Sequence, residues 1–373
     1  MTNGIALVLN CGSSSVKYQV VDTAQEAPLA SGIVERVQDH TEAIREVMTT
    51  LEADENVDLA AITVVGHRVV QGGDIFTEAT VVTEDVEAKI DELGTLAPLH
   101  NPANLKGIRA AKEAFPGLAH VAVFDTAFHT TMPAPAYTYA IDKDVAAQYK
   151  IRRYGAHGTS HAFVSQAVAE LVGRPVEELK TVVLHLGNGA SATAVDGGKS
   201  VDTSMGLTPL EGLMMGTRSG DIDPAALIHL GRQGWTFDQL DDLLNRKSGF
   251  IGLTGMSDMR DIETAFDAGN ADAQLARHVY AHRIKGYVGK YMAVMGGLDT
   301  IVFTAGIGEN DSAVRLECMQ GLEGLGIVID PERNAGRKKV ATLISTDDSP
   351  VQIWVVPTNE ERAIALQSIA AAA

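Results

Sequence analysis

Short apolar runs bounded by small or polar residues recur along the chain: IALVLN at 5–10, ITVVGH at 62–67, VAVFD at 121–125, TVVLHL at 181–186, TIVFTAG at 300–306 and VQIWVVP at 351–357. Runs of this length, rich in β-branched residues, predict buried strands. Stretches near 102–115, 160–172, 271–295 and 312–322 carry apolar residues at helical spacing and lie between those runs. The alternation predicts α/β layers. The order also repeats. VLNCGSSSVKYQVVD (8–22) and VLHLGNGASATAVDG (183–197) each run strand, small polar turn, alternating strand, at an offset of 175. VFDTAFH (123–129) and VFTAGIG (302–308) pair at an offset of 179. Two offsets so close predict an internal duplication, with RRYGAHGTSH (152–161) separating the halves.

A length of 373 residues fits two substantial domains. A net charge of −18 repels phosphate backbones and anionic lipid, so neither nucleic acid nor a membrane surface is an expected partner. A small anion held in a local basic cleft is still compatible with that field. Two cysteines, Cys11 and Cys318, make no disulfide framework and fit a reducing compartment. The first residues, MTNGIALVLNCG, carry no basic residue and only a five-residue apolar run, so neither signal peptide nor span is predicted and the expected location is the cytoplasm.

Two common nucleotide fingerprints fail. GGKS at 197–200 lacks the first glycine of a phosphate loop, since Thr193 stands there. GNGASA at 187–192 fits the dinucleotide pattern, yet alternating SATAV follows where a helix is required. Three other Gly-rich turns present backbone N–H groups that suit phosphate: CGSSS (11–15), HLGNG (185–189) and AGIGEN (305–310), the last leading into a helix. At strand ends stand Asp125, which a cleft or an N-cap would satisfy, and Arg68 and Arg218, whose forks suit carboxylate or phosphoryl oxygens as well as surface ion pairs. His157 and His161 are spaced i, i+4, but HGTSH lacks the glutamate of a zinc helix. Thr358 and Glu361 have capping-box spacing before an Ala-rich final helix, which leaves Glu360 free for another task.

Together LVLNCGSSSVKYQV, GHRVVQGG, LAPLHNP, VFDTAFHTTMP, RRYGAHGTSH, HLGNGASA, DTSMGLTPLEGLMMGTRSGDID, GMSDMRDI, VMGGLDTIVFTAGIGEN and PTNEE closely resemble the acetate kinase family, in order and over nearly the whole chain. The resemblance implies the duplicated two-domain α/β fold (ribonuclease H-like) of the acetate and sugar kinase, heat-shock chaperone and actin superfamily. Residues 1–150 would form a first domain with the acyl-substrate residues, completed by a C-terminal helix at 361–373, and 151–360 a second with the nucleotide segments. It implies reversible, direct in-line transfer of the γ-phosphoryl group of ATP to acetate, giving acetyl phosphate and ADP, with Mg²⁺ or Mn²⁺ and a homodimeric state.

By the same resemblance, Arg68 contacts the acetate carboxylate, His157 and Arg218 stabilise the phosphoryl in flight, and Asp125 orients the reactants. Asp125 has no strong base to be, because acetate is already ionised at neutral pH. Asn10 and Glu360 match positions near Mg²⁺. Ser13, Ser15 and Lys17 lie on the matching phosphate turn. Nucleotide segments fall at His185, Leu186, Gly187, Asn188 and Gly189, at Asp258, Met259 and Arg260, and at Gly306, Ile307, Gly308, Glu309 and Asn310. The acyl pocket falls at Val70, Leu99, Pro209 and Ala156, the last where the family has an aromatic ring. A smaller wall there predicts broadened use of propionate. Gln71 and Cys11 replace the family's usual histidine and alanine, and residues missing relative to the family are expected near 35–60. The alternatives are a propionate, butyrate or pyrophosphate-dependent kinase and, from another class, a silent nucleotide-binding module. Keeping Arg68, Asp125, His157, Arg218 and Glu360 together speaks against the silent module.

Overall fold

The computed structural model describes residues 3–98 and 100–373. They form two compact units: residues 3–98, 100–130, 156–163 and 359–373, and residues 131–155 and 164–358. The change of unit thus falls at 130/131 rather than near 150, and the HGTSH segment returns to the first unit.

The first unit is built on β1 (Ile5–Cys11), β2 (Ser15–Asp22), β3 (Ala30–Glu35), β4 (Ile62–Val69), β5 (Thr80–Val81) and β6 (Ala119–Phe124), in the sheet order β3-β2-β1-β4-β6-β5. β1, β4 and β6 are parallel, and β2 returns antiparallel along β1. Leu7, Leu9, Val16 and Val65 pack one face against Ile44, Val47 and Leu51 of helix His40–Glu52 and Ala110 and Ala111 of helix Asn101–Ala114. Ala6, Val8, Val64, Val121 and Val123 pack the other against Ile364 and Ala365 of the final helix, Glu360–Ala372. Both faces are covered, which is why these strands read as continuous apolar runs. Asn359, not Thr358, caps the final helix, its side chain accepting from the Arg362 N–H. The helix starts at Glu360, so its third N–H is that of Arg362, three residues on from Asn359, and the cap falls one residue later than Thr358–Glu361 spacing predicts.

The second unit repeats the plan with β7 (Lys180–Leu186), β8 (Ala190–Asp196), β9 (Lys199–Thr203), β10 (Thr300–Thr304), β11 (Thr342–Leu343) and β12 (Gln352–Val355), in the order β9-β8-β7-β10-β12-β11. Strand for strand this matches the first sheet: the hairpin β7–β8 stands for β1–β2, and β10 for β4. The duplication is therefore real, but the second sequence pairing needs correction. VFTAGIG runs out of β10, whose counterpart is β4; VFDTAFH runs out of β6, whose counterpart is β12. The 25-residue helix Ala271–Met295 buries Ala276, Tyr280, Ile284, Val288 and Tyr291, one residue per turn, and ends at Gly296 in the left-handed region (φ +65°).

Candidate active site

In the first unit the chemistry gathers where the parallel strands end, the usual ligand side of such a sheet. Asn10 is the penultimate residue of β1, Arg68 lies near the end of β4, and Asp125 follows β6. The Asp125 N–H bonds the Val69 carbonyl (2.9 Å), which carries the β4–β6 register through to the side chains. Arg68 then donates from Nε to Asp125 Oδ1 (3.0 Å) and from Nη2 to Oδ2 (2.6 Å). Asp125 is 1% exposed, and its charge is matched by this fork. The pairing raises the Arg68 pKa still further, and the Nη1 edge makes no hydrogen bond among the described residues. A carboxylate ligand has that edge to bind.

His157 sits in the left-handed region at φ +58°, uncommon for a residue with a side chain. The next residue explains it. The Gly158 N–H donates to the Asp125 carbonyl (2.8 Å), and a Cβ at 158 would stand 2.3 Å from that oxygen. Only glycine lets the HGTSH segment lie this close. Gly158→Ala is therefore expected to push His157 away from Asp125, with a loss of about 1–3 kcal/mol in unfolding free energy and a larger proportional loss of activity; denaturant titration and initial rates check both.

Glu360, the first residue of the final helix, is half-buried. Burial, helped by the charges of Asp125 and Glu361, pushes its carboxyl up to about 7, against the pull of Arg68 and Lys17. A carboxylate held at this cost suits a bound cation. Asn10 carries an amide oxygen near the end of β1, and Lys17 faces it across the β1–β2 pair. No cluster of three His, Cys, Asp or Glu side chains among the described residues would hold a metal unaided. A few oxygen donors fit Mg²⁺ that arrives with waters and phosphates. Ser13 and Lys17 are exposed and Ser15 half-buried around the tight turn in which the Gly12 N–H bonds the Ser15 carbonyl (2.8 Å). Val70 and Ala156 are buried, and the Ala156 carbonyl makes a 2.9 Å hydrogen bond with His129 Nε2. Leu99 lies outside the described residues.

The second unit holds a cleft of about 660 Å³. Gly187 and Asn188 line it from the β7–β8 turn, Asp258, Met259 and Arg260 from one helix start, and Gly306, Ile307 and Asn310 from the short helix Ala305–Asn310 that follows β10. AGIGEN is thus a helix rather than an open turn. His185 and Leu186 are buried in the sheet, and Gly189, Gly308 and Glu309 do not line the cleft. Glu309 instead accepts on Oε1 from the N–H of Ala305 (2.8 Å), at φ +65°, and of Thr358 (3.1 Å). Asp258 is held at about 2 by Arg260, which it also caps. Sequence reasoning missed Gly216, Phe250, Ser257, Glu263, Asp311 and Arg337, which also line the cleft. One local signal existed for Gly216: it lies in the glycine-rich GLMMGTRSGD, and a Cβ there would meet Asn188 Oδ1 at 2.0 Å.

Arg218 belongs to this unit, in the loop between β9 and helix Pro224–Arg232. It is half-buried, donates from Nη1 to the Pro209 carbonyl (2.6 Å), and has no carboxylate in salt-bridge range among the described residues. Burial lowers its pKa, the mark of a cation without a counter-ion.

Two sheets of one topology, each a hairpin joined to parallel strands, define a duplicated α/β fold, and the first carries an Arg–Asp pair where its parallel strands end. The chain belongs to the acetokinase family, whose model matches residues 5–39 and 36–366, breaking between β3 and helix His40–Glu52. It is 56% identical to the acetate kinase of Leifsonia xyli subsp. xyli, over 98% of each chain, and 55% identical to that of Clavibacter sepedonicus, over 98% of this chain and 99% of the relative. Among solved structures it is similar to Porphyromonas gingivalis acetate kinase (TM-score 0.95, 42% identity, 99% of each chain). It is also similar to a propionate kinase from Francisella tularensis (TM-score 0.93, 39% identity, 98% of this chain and 99% of that one).

Proposed function

We propose that the chain is an acetate kinase: it catalyses the reversible transfer of the γ-phosphoryl group of ATP to acetate, giving acetyl phosphate and ADP. The relatives' activity and the family support the reaction. The observation in the molecule that carries it is the contrast between Arg68 and Arg218: among the described residues, Arg68 is held by Asp125 with one edge free for a carboxylate, while Arg218 is half-buried without a counter-ion, as a group awaiting a phosphoryl charge would be. Charge in this transfer spreads over three equatorial oxygens, so cations and N–H donors do the work.

In this reading Arg68 presents its Nη1 edge to acetate, and Asp125 fixes the fork rather than taking a proton. Arg218 and His157 hold the charge of the phosphoryl as it moves in line from ADP to the acetate oxygen. The glycine turns and the cleft of the second unit bind ATP and ADP. Glu360 and Asn10 would hold Mg²⁺, which when bound neutralises phosphate charge. Val70, Leu99, Ala156 and Pro209 would flank the acyl group.

The test is hydroxylamine trapping: with MgATP and acetate the chain yields acetohydroxamate. No hydroxamate from folded protein that binds MgADP would instead favour a silent nucleotide-binding module. Use of propionate has its own support in Ala156, small where the family resemblance places a ring. Ala156→Phe is expected to lower kcat/KM for propionate relative to acetate by up to about tenfold, and an unchanged ratio in a substrate panel would contradict the assignment.

For a homodimer, the support is four exposed large apolar side chains within sixteen residues, Ile222, Ile228, Trp235 and Phe237, the last 90% exposed. For a reducing, cytoplasmic setting it is two free, buried cysteines. Among the described residues no helix is long and apolar enough to cross a membrane.

A further inference from the structure

Arg315, in helix Ser312–Met319, is 0% exposed and is among the largest fully buried side chains of the chain. No carboxylate stands in salt-bridge range of it among the described residues, so its donors must be met otherwise. Nε donates to Asn334 Oδ1 (2.7 Å), Nη1 to the Gly308 carbonyl (2.9 Å), and Nη2 to the Asn334 and Gly336 carbonyls (2.8 Å each). Asn334 is itself fixed, its Nδ2 donating to the Ser312 carbonyl (2.8 Å). Burial pushes the Arg315 pKa down to about 10, so it is charged at neutral pH. The fork joins two segments. Gly308 belongs to the short helix whose Gly306, Ile307 and Asn310 line the cleft, and Gly336 precedes Arg337, which lines it too.

Arg337 is exposed and makes no ion pair or hydrogen bond among the described residues. The cleft's other arginine, Arg260, is committed to Asp258. Asp258, Glu263 and Asp311 also line the cleft, and burial together with Asp311 raises the Glu263 pKa. Three carboxylates disfavour phosphate directly beside them, whereas a planar guanidinium in a cleft also lined by Phe250 and Ile307 suits a neutral, flat, hydrogen-bonding group.

We propose that Arg337 binds the nucleoside end of the nucleotide, base or ribose, and that Arg315 is the positioning residue that holds Arg337 and the Ala305–Asn310 helix in place. The proposal rests on the nucleotide reading of the cleft.

Calorimetric titration with MgADP and with adenosine, together with steady-state kinetics, tests it. Arg337→Ala is expected to weaken both ligands and raise KM for ATP by about tenfold. Inhibition by inorganic tripolyphosphate, KM for acetate and kcat stay within about twofold. Arg315→Lys keeps the charge but loses the fork; it is expected to raise KM for ATP likewise, and to add little in an Arg337→Ala background. If Arg315→Lys does not fold, Asn334→Ser, which removes one partner of the fork, is read in the same way. Equal adenosine affinity in Arg337→Ala overturns the contact, and an undiminished effect in the double variant overturns the positioning role. Absence of MgADP binding to the unaltered chain overturns the nucleotide reading and this proposal with it, whereas normal MgADP binding with an indifferent Arg337 overturns this proposal alone.

Discussion

Arg218→Ala is expected to lower kcat by about 10³ while leaving the thermal midpoint unchanged or slightly raised. The two halves of that result have one cause. The guanidinium is half-buried and, among the described residues, has only the Pro209 carbonyl as partner, so the folded chain gains little from its charge in the absence of ligand. The phosphoryl group in transfer would supply the missing anion, and the benefit of the charge would then fall on the transition state. Rapid kinetics with MgATP and acetate, set beside thermal unfolding, separates this from a structural role. A large fall in midpoint, or a rise in KM with kcat preserved, would show Arg218 to be a framework or ground-state group.

Asp125→Asn is expected to behave in the opposite way, harming stability and catalysis together. The carboxylate is 1% exposed and holds both Nε and Nη2 of Arg68, so the amide leaves a guanidinium short of its counter-ion in a partly closed site. Breaking such a pair from one side costs about 3 kcal/mol, toward the low end of the usual range because the Arg68 side chain keeps 24% of its exposure. With Arg68 misaligned, kcat/KM for acetate should fall by about 10² or more, mainly through KM. Urea unfolding and acetate saturation curves report the two effects, and unchanged stability would mean that the pair is not what orders the β4–β6 strand ends.

The sequence made the strands and their duplication legible because both sheets bury their parallel strands on two faces, leaving runs such as IALVLN and TVVLHL that few other arrangements produce. It misled at the second repeat for a physical reason. β4, β6, β10 and β12 share one local pattern, an apolar run opening into a polar loop, and only the order of pairing across the sheet distinguishes them. The Arg68–Asp125 fork was hidden for the same reason: 57 residues separate the partners, and the β4–β6 register joins them. Capping was misread by one residue, since Thr358 and Asn359 are both competent caps and the helix start decides between them.

Nucleotide segments with a local signature, GNG at 187–189 and DMR at 258–260, are legible in the sequence. Phe250, Glu263, Asp311 and Arg337 reach the cleft from separate segments and carry no such mark. Arg315 reads as an ordinary exposed helix residue until its burial is seen. A buried arginine answered only by carbonyls and an amide is a three-dimensional fact, with no periodicity to announce it.

The account turns on Arg218 meeting a planar, negatively charged phosphoryl group between ADP and acetate. The most direct measurement is inhibition by MgADP with aluminium and fluoride, which together mimic that group. The account predicts tight inhibition that requires ADP, Mg²⁺, fluoroaluminate and acetate at once, and that disappears in Arg218→Ala even though MgADP still binds. Equally tight inhibition of Arg218→Ala, or inhibition indifferent to acetate, would contradict it.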